Sequence, residues 1–209
     1  MAVMTEQDAA VPDGAELWLI RHGETEWSLA GKHTSVTDLP LTARGELQAA
    51  ALRRALVGLS PSLVLCSPRL RAQATAKLAG LAISDTDPDL AEWNYGEYEG
   101  RTSAEIREDV PGWSLFTHGV PGGEAAADVS ARADRVLARA RAAMERGPVV
   151  LIGHGHMSRV LGARWIGLPA IGAANLLLAA ASISILSTQY GEPVLKHWNL
   201  PNPDNEGDR

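Results

Sequence analysis

Cysteine is nearly missing from this chain of 209 residues: only Cys66 is present. No intramolecular disulfide can form, which is in keeping with a reducing compartment. Basic residues are also short, with 19 Lys and Arg against 25 Asp and Glu and a formal net charge of −6. That surplus argues against general binding to nucleic acid or to an anionic membrane. An anionic ligand would have to be met by a few local cations. Long apolar runs are missing too. "IGAANLLLAAASISIL" is interrupted by Gly172, Asn175 and two serines. It falls short of a membrane span and reads as a helix running into a strand. The first sixteen residues have neither a basic start nor an apolar stretch, so no signal peptide is expected, and the cytoplasm is the expected location. No Gly-x-x-x-x-Gly-Lys-[Ser/Thr] loop occurs, which argues against a nucleotide-driven P-loop enzyme. No repeat, low-complexity tract or linker divides the chain. One domain over 1–209 is expected, with polar ends at 1–15 and 199–209 loose.

What is there suits a globular core: 45% of residues are hydrophobic and 21% charged. Continuous apolar runs at 17–20, 62–67, 149–153 and 182–187 read as buried strands, and 194–199 as an edge strand. Helical patterns fall at 43–57, 68–80 and 124–146. Ser67 and Pro68 are expected to start the second of these, and Gly147 and Pro148 to stop the third. Thr102 and Glu105 make a capping box for a shorter helix. Strands separated by helices predict an α/β fold, a three-layer α/β/α sandwich around a mostly parallel sheet. Ligands in such sheets bind beyond the carboxyl ends of the strands.

Three of those ends carry cations. "LWLI" runs into Arg21 and His22, "VVLIG" into His154, and "LVLCS" into Pro68, Arg69 and Arg71. Arginines are permanently charged forks suited to phosphate oxygens. Metal cations would be repelled there, and no metal is expected. A neutral histidine among arginines can instead act as a nucleophile on phosphorus, with the other cations stabilising the transferring group. An alcohol leaving group needs a proton. Glu92 is the candidate acid, because apolar Leu90 and Trp93 beside it would favour its protonated form. Glu97 and Glu99 read as loop organisers.

The segments "RHGETEW" (21–27), "DLPLTARGELQA" (38–49), "SPRLRAQATA" (67–76), "EWNYGEYEG" (92–100) and "GHGHMSR" (153–159) together resemble the histidine phosphatase superfamily, also called phosphoglycerate-mutase-like. Their wording is nearer the acid phosphatase and sedoheptulose-bisphosphatase members than the mutases. The resemblance implies His22 as the nucleophile, Arg21, Arg71 and His154 as the rest of the phosphate pocket, and Glu92 as proton donor. Arg69 is an extra charge in a variable slot. Ser28 stands where relatives often have Asn, and Thr34-Ser35 where they often have Gln-Gly. Those positions usually touch phosphate or substrate, so Ser28, Thr34 and Ser35 are expected to donate shorter-reaching hydrogen bonds. Glu124, Gly155 and His156 complete the expected substrate contacts.

The superfamily contains hydrolases and mutases. Its cofactor-dependent mutases carry a long basic insertion between the acid and the second histidine. Only 62 residues separate Glu92 from His154 here, and 108–130 holds no Arg or Lys. Hydrolysis of a small phosphorylated metabolite without a cofactor is therefore expected, a sugar phosphate in the first instance, with an acidic optimum. A phosphoglycerate mutase, a protein phosphatase and a catalytically silent phosphate-binding module remain the alternatives. Dimers are common in the superfamily, so a homodimer is one expected state. His33, His118 and His197 read as surface or loop residues. The arginines of 132–146 read as a solvated helix face.

Overall fold

The computed structural model describes residues 11–202. In chain order its elements are β1 (Glu16–Arg21), α1 (Glu26–Leu29), α2 (Ala43–Ala55), β2 (Leu63–Cys66), α3 (Leu70–Leu78), β3 (Asp85–Thr86), α4 (Ser103–Asp109), α5 (Leu115–His118), α6 (Ala126–Met144), β4 (Val149–Gly153), α7 (Gly155–Trp165), β5 (Ile183–Gln189) and β6 (Glu192–Leu200). The six strands form one sheet in the order β3-β2-β4-β1-β5-β6. Neighbours from β3 to β1 are parallel, and β5 and β6 run antiparallel. The mostly parallel α/β architecture expected from the sequence is the one observed.

The strands are continuous apolar runs because both faces of the sheet are covered. Successive side chains point to opposite faces. Leu17, Leu19, Leu65, Val149 and Leu151 join one buried cluster with Val129, Val136 and Leu137 of α6 and Val160 of α7. Ile20, Val64, Cys66, Val150 and Ile152 join the other, with Leu52 of α2 and Ala72 and Ala76 of α3. Among the described residues no helix is long and apolar enough to cross a membrane.

Local details differ from the sequence reading in instructive ways. The helix expected from 68 begins at Leu70, with Arg69 as an N-cap that makes no side-chain capping bond. Ser67 does not cap it, because its hydroxyl is engaged by His154. The capping box of Thr102 and Glu105 forms as expected. The stretch from 170 is a 3₁₀ turn, Ala170–Asn175, followed by irregular chain. Gly172 and Asn175, poor interior helix residues, account for that. On α6 the arginines are not merely solvated. Arg132 pairs with Glu124, Arg135 with Asp89, and Arg139 with Asp85 and Asp87. The Arg135 and Arg139 pairs bind α6 to the chain that leads to Glu92.

Part of the ends expected to be loose is tied down. The Gly14 amide donates to the Thr188 carbonyl and the Thr188 hydroxyl to the Pro12 carbonyl. Asn202 is buried and its side-chain amide donates to the Gln48 carbonyl. Residues 1–10 and 203–209 lie outside the described residues.

Candidate active site

Strand register brings the expected residues together. Arg21 lies opposite Gly153 in the β1–β4 ladder, and Cys66 opposite Ile152 in the β2–β4 ladder. The next residue on each strand therefore sits at one sheet edge. The His22 amide donates to the Gly153 carbonyl at 3.0 Å, and the rings of His22 and His154 are 5.2 Å apart at 64°. Glycines let the loop after β1 lie flat on α2. A Cβ on Gly23 would meet the Gly45 carbonyl oxygen, and one on Gly45 would meet the Glu24 carbonyl oxygen. Only glycine permits that backbone-on-backbone contact.

Hydrogen bonding fixes the tautomer of His22. The Gly23 carbonyl oxygen lies 2.7 Å from His22 Nδ1. A carbonyl only accepts, so Nδ1 carries the proton and Nε2 keeps its lone pair. Burial, reinforced by Arg71 and Arg21, holds the His22 imidazole well below the usual histidine range and keeps it neutral. The Ser67 hydroxyl oxygen accepts the Arg69 amide at 3.4 Å and lies 2.7 Å from His154 Nε2. Burial and Arg71 lower His154 in the same way.

Four buried nitrogens around this edge have no hydrogen-bond partner among the described residues: Arg21 Nε, Arg69 Nε, Arg71 Nε and His154 Nδ1. Leaving such groups unpaired costs about 1–3 kcal/mol each. A bound oxyanion would offset that cost. Arg71 is fully buried and aimed by its donations to the Thr37 and Thr34 carbonyls, both at 3.1 Å. Arg21 donates to the Leu178 carbonyl at 2.5 Å, and its guanidinium lies against Gly155, where a Cβ would stand 3.4 Å from it.

Glu92 is buried at the start of α7. Its carboxylate accepts the Trp93 and Met157 amides on one oxygen, at 2.9 and 2.8 Å, and the His156 amide on the other, at 3.0 Å. The expected apolar shell is thus only half present. Leu90 and Trp93 are buried beside it, yet three main-chain donors face the carboxylate. Helix N-termini supply such donors.

A cavity of about 300 Å³ opens over this edge, lined by Arg21, His22, Glu92, Gly155 and His156 among others. Ser28 and Thr34 line it as expected. Ser28 does so while closing the capping box of α1 with Thr25. Arg71 and His154, both fully buried, are not among its lining residues, and neither are Ser35 and Glu124. Ser35 is buried and gives its hydroxyl and amide to Glu99, which also takes the Thr37 amide. Glu99 thereby holds the loop whose carbonyls aim Arg71. Glu124 accepts the Asn94 amide at 2.8 Å and bridges to Arg132. It steadies the turn after Glu92 from behind and does not face a ligand.

Residues that the sequence reading passed over also line the cavity: Thr25, Lys32, His33, Tyr95 and Arg159. His33 is buried, not a surface residue, and burial lowers its imidazole to about 4. Arg159 was legible in principle, being three residues after His156 on one helix face. Nothing local marks His33. His156 Nδ1 lies 2.6 Å from the Tyr95 hydroxyl, and burial lowers that imidazole too.

Four neutral histidines, three of them buried and His156 half-buried, carry a stability cost in acid. His22, His33, His154 and His156 all have lowered folded-state values, so the unfolded chain binds more protons once pH falls below about 6.5. Their stabilisation is complete above that value and is lost progressively as pH falls toward His33's value of about 4. Each proton contributes about 1.4 kcal/mol per pH unit. The melting temperature should therefore fall steadily from pH 7 to pH 4.5, with a shallower slope in His33→Asn. A flat profile in the wild type would contradict the neutral, buried assignment.

Comparison with known proteins agrees with this geometry. The histidine phosphatase superfamily (branch 1) matches residues 17–201. An acid phosphatase of Mycobacterium tuberculosis is 44% identical over 178 residues, covering 84% of this chain and 87% of that protein. The sedoheptulose 1,7-bisphosphatase of Saccharomyces cerevisiae is 33% identical over 182 residues, covering 72% of this chain and 67% of that protein. A solved Mycobacterium tuberculosis structure superposes with a TM-score of 0.88 at 42% identity, covering 90% of this chain and 99% of that one. With its two strand-end histidines, its buried arginines and this match across the sheet, the chain belongs to branch 1 of the histidine phosphatase superfamily.

Proposed function

We propose that this histidine-type phosphatase hydrolyses small phosphorylated metabolites, sugar phosphates among them, through a phosphohistidine on His22 with an acidic optimum. The observation that carries the reading is the fixed tautomer of His22, with Nδ1 bonded to the Gly23 carbonyl and Nε2 free, beside four buried nitrogens without a hydrogen-bond partner among the described residues. The names of the relatives, acid phosphatase and sedoheptulose bisphosphatase, support the class. A cavity near the lower end of the usual range for ligand sites favours a small substrate.

In the reaction, the phosphoryl oxygens take hydrogen bonds from Arg21, Arg71 and His154 Nδ1. His22 Nε2 attacks phosphorus in line as the ester P–O bond breaks. A proton held between Glu92 and the phosphoryl group passes to the leaving oxygen, so the alcohol departs neutral. Water then attacks the phosphohistidine and gives a proton to Glu92. The P–N bond breaks, and neutral His22 and inorganic phosphate are regenerated. The transition-state charge sits among fixed donors, which is the largest lever such a site has.

The pH dependence follows from two opposed needs. The nucleophile must be neutral, and the lowered His22 value preserves that into acid. The site must also hold one proton for the leaving oxygen, and phosphate monoesters lose theirs near pH 6. Activity should rise as pH falls through about 6 and decline only well below it. The test is phosphate release from p-nitrophenyl phosphate and a sugar-phosphate panel between pH 4 and 9. An optimum above pH 8 would reject the proton requirement. No release at any pH, with phosphoglycerate isomerisation detected instead, would make the protein a mutase.

A further inference from the structure

The cavity holds more positive charge than one phosphoryl group needs. Its lining also carries Lys32 and Arg159, and the only carboxylate among the lining residues is Glu92. Among the described residues neither cation has an acidic partner within salt-bridge distance. By contrast, Arg132, Arg135, Arg139 and Arg164 each hold a carboxylate.

Arg159 is also held rigid. Its Nε donates to the Ala173 carbonyl at 3.0 Å and its Nη2 to the Ala174 carbonyl at 2.9 Å. Its guanidinium lies 4.9 Å over the Phe116 ring. These contacts spend two edges of the fork on neutral groups and leave Nη1 without a protein hydrogen bond. Half-buried and fixed, the charge is preorganised, so little side-chain entropy would be lost on meeting an anion. Lys32 lines the same cavity, its ammonium 5.6 Å from the Trp27 ring centroid. His156 lines the cavity beside it, with its Nδ1 2.6 Å from the Tyr95 hydroxyl.

We infer that Arg159, with Lys32 and His156, forms a second anion subsite that selects phosphate esters bearing a further anionic group, a carboxylate or a second phosphate, on the leaving side. The inference rests on the phosphatase reading for the placement of the first phosphoryl group at Arg21, Arg71 and His154. It adds that a neutral sugar alcohol is the poorer partner of this cavity. A purely structural Arg159, serving only to tie α7 to residues 173–174, would make no such distinction.

The test uses two probes that differ in one group, 3-phosphoglycerate and glycerol 3-phosphate. Their dissociation constants are measured by calorimetry on the full chain carrying His22→Ala, which removes the attacking nitrogen, and on the same chain with Arg159→Met or Arg159→Lys added. Expected is a preference of about tenfold or more for the carboxylate probe, falling toward one with Arg159→Met and partly kept with Arg159→Lys. Equal affinities in the His22→Ala chain overturn the subsite. So does a preference that survives Arg159→Met. Should the double variant not fold, the first comparison and Lys32→Met still decide. Turnover of p-nitrophenyl phosphate by the wild type tests the phosphatase reading separately. Turnover without a carboxylate preference rejects only the subsite, and a preference without turnover rejects only the hydrolysis.

Discussion

His22→Ala is expected to lower kcat for p-nitrophenyl phosphate by about 10⁴-fold or more. The magnitude follows from what the side chain supplies. Without Nε2 no covalent intermediate forms, and water must attack directly in a site built around a ring nitrogen. The electrostatic part of the site survives. Arg21, Arg71 and His154 are held by Leu178, by Thr34 and Thr37, and by Ser67, none of which depends on His22. The variant should therefore still bind inorganic phosphate while failing to turn over ester. An alkaline quench during turnover should find phosphate attached to the wild-type protein and none on the variant. Retention of more than about a tenth of wild-type kcat would remove His22 from the nucleophile's place.

The sequence was most informative where chemistry and strand ends coincide. Arg21, His22 and His154 were legible because buried parallel strands must stop at one edge, and cations there have no structural excuse. Register then converts sequence position into contact, as the Arg21–Gly153 pairing shows. Glu92 was legible as a residue but not in its surroundings. Its three amide donors come partly from α7, an element the apolar pattern did not announce. Ser35 and Glu124 were misread for a related reason. Polar residues near a site can serve it by holding other residues, and only geometry tells a ligand contact from a brace. Glu99 with Ser35, and Glu124 with Arg132, are braces. His33 and Arg159 reach the cavity through loop closure and helix phase, information spread over the chain and not held in any local motif.

Glu92→Gln separates the acid from the anchor. Glutamine keeps the volume and one oxygen, so it can still accept the Trp93 and Met157 amides that Glu92 Oε1 accepts now. What it loses is the proton and the acceptor facing the His156 amide. General acid catalysis is worth about 10²–10⁴-fold when the leaving group is poor. An aliphatic alkoxide is such a group, whereas p-nitrophenolate departs readily without a proton. Expected, then, is a loss of about 10³-fold on an aliphatic phosphate and less than about tenfold on p-nitrophenyl phosphate. The fall in activity above about pH 6 on the aliphatic substrate should also vanish in the variant, because the titrating proton no longer matters. Equal losses on both substrates would make Glu92 a positioning residue for the first turn of α7. The proton would then have to arrive on the ester itself. That outcome would leave the His22 route intact, because attack by Nε2 draws nothing from Glu92. The two carboxyl-linked roles, delivering a proton and holding the helix start, predict different substrates to suffer, and that difference is what the experiment reads.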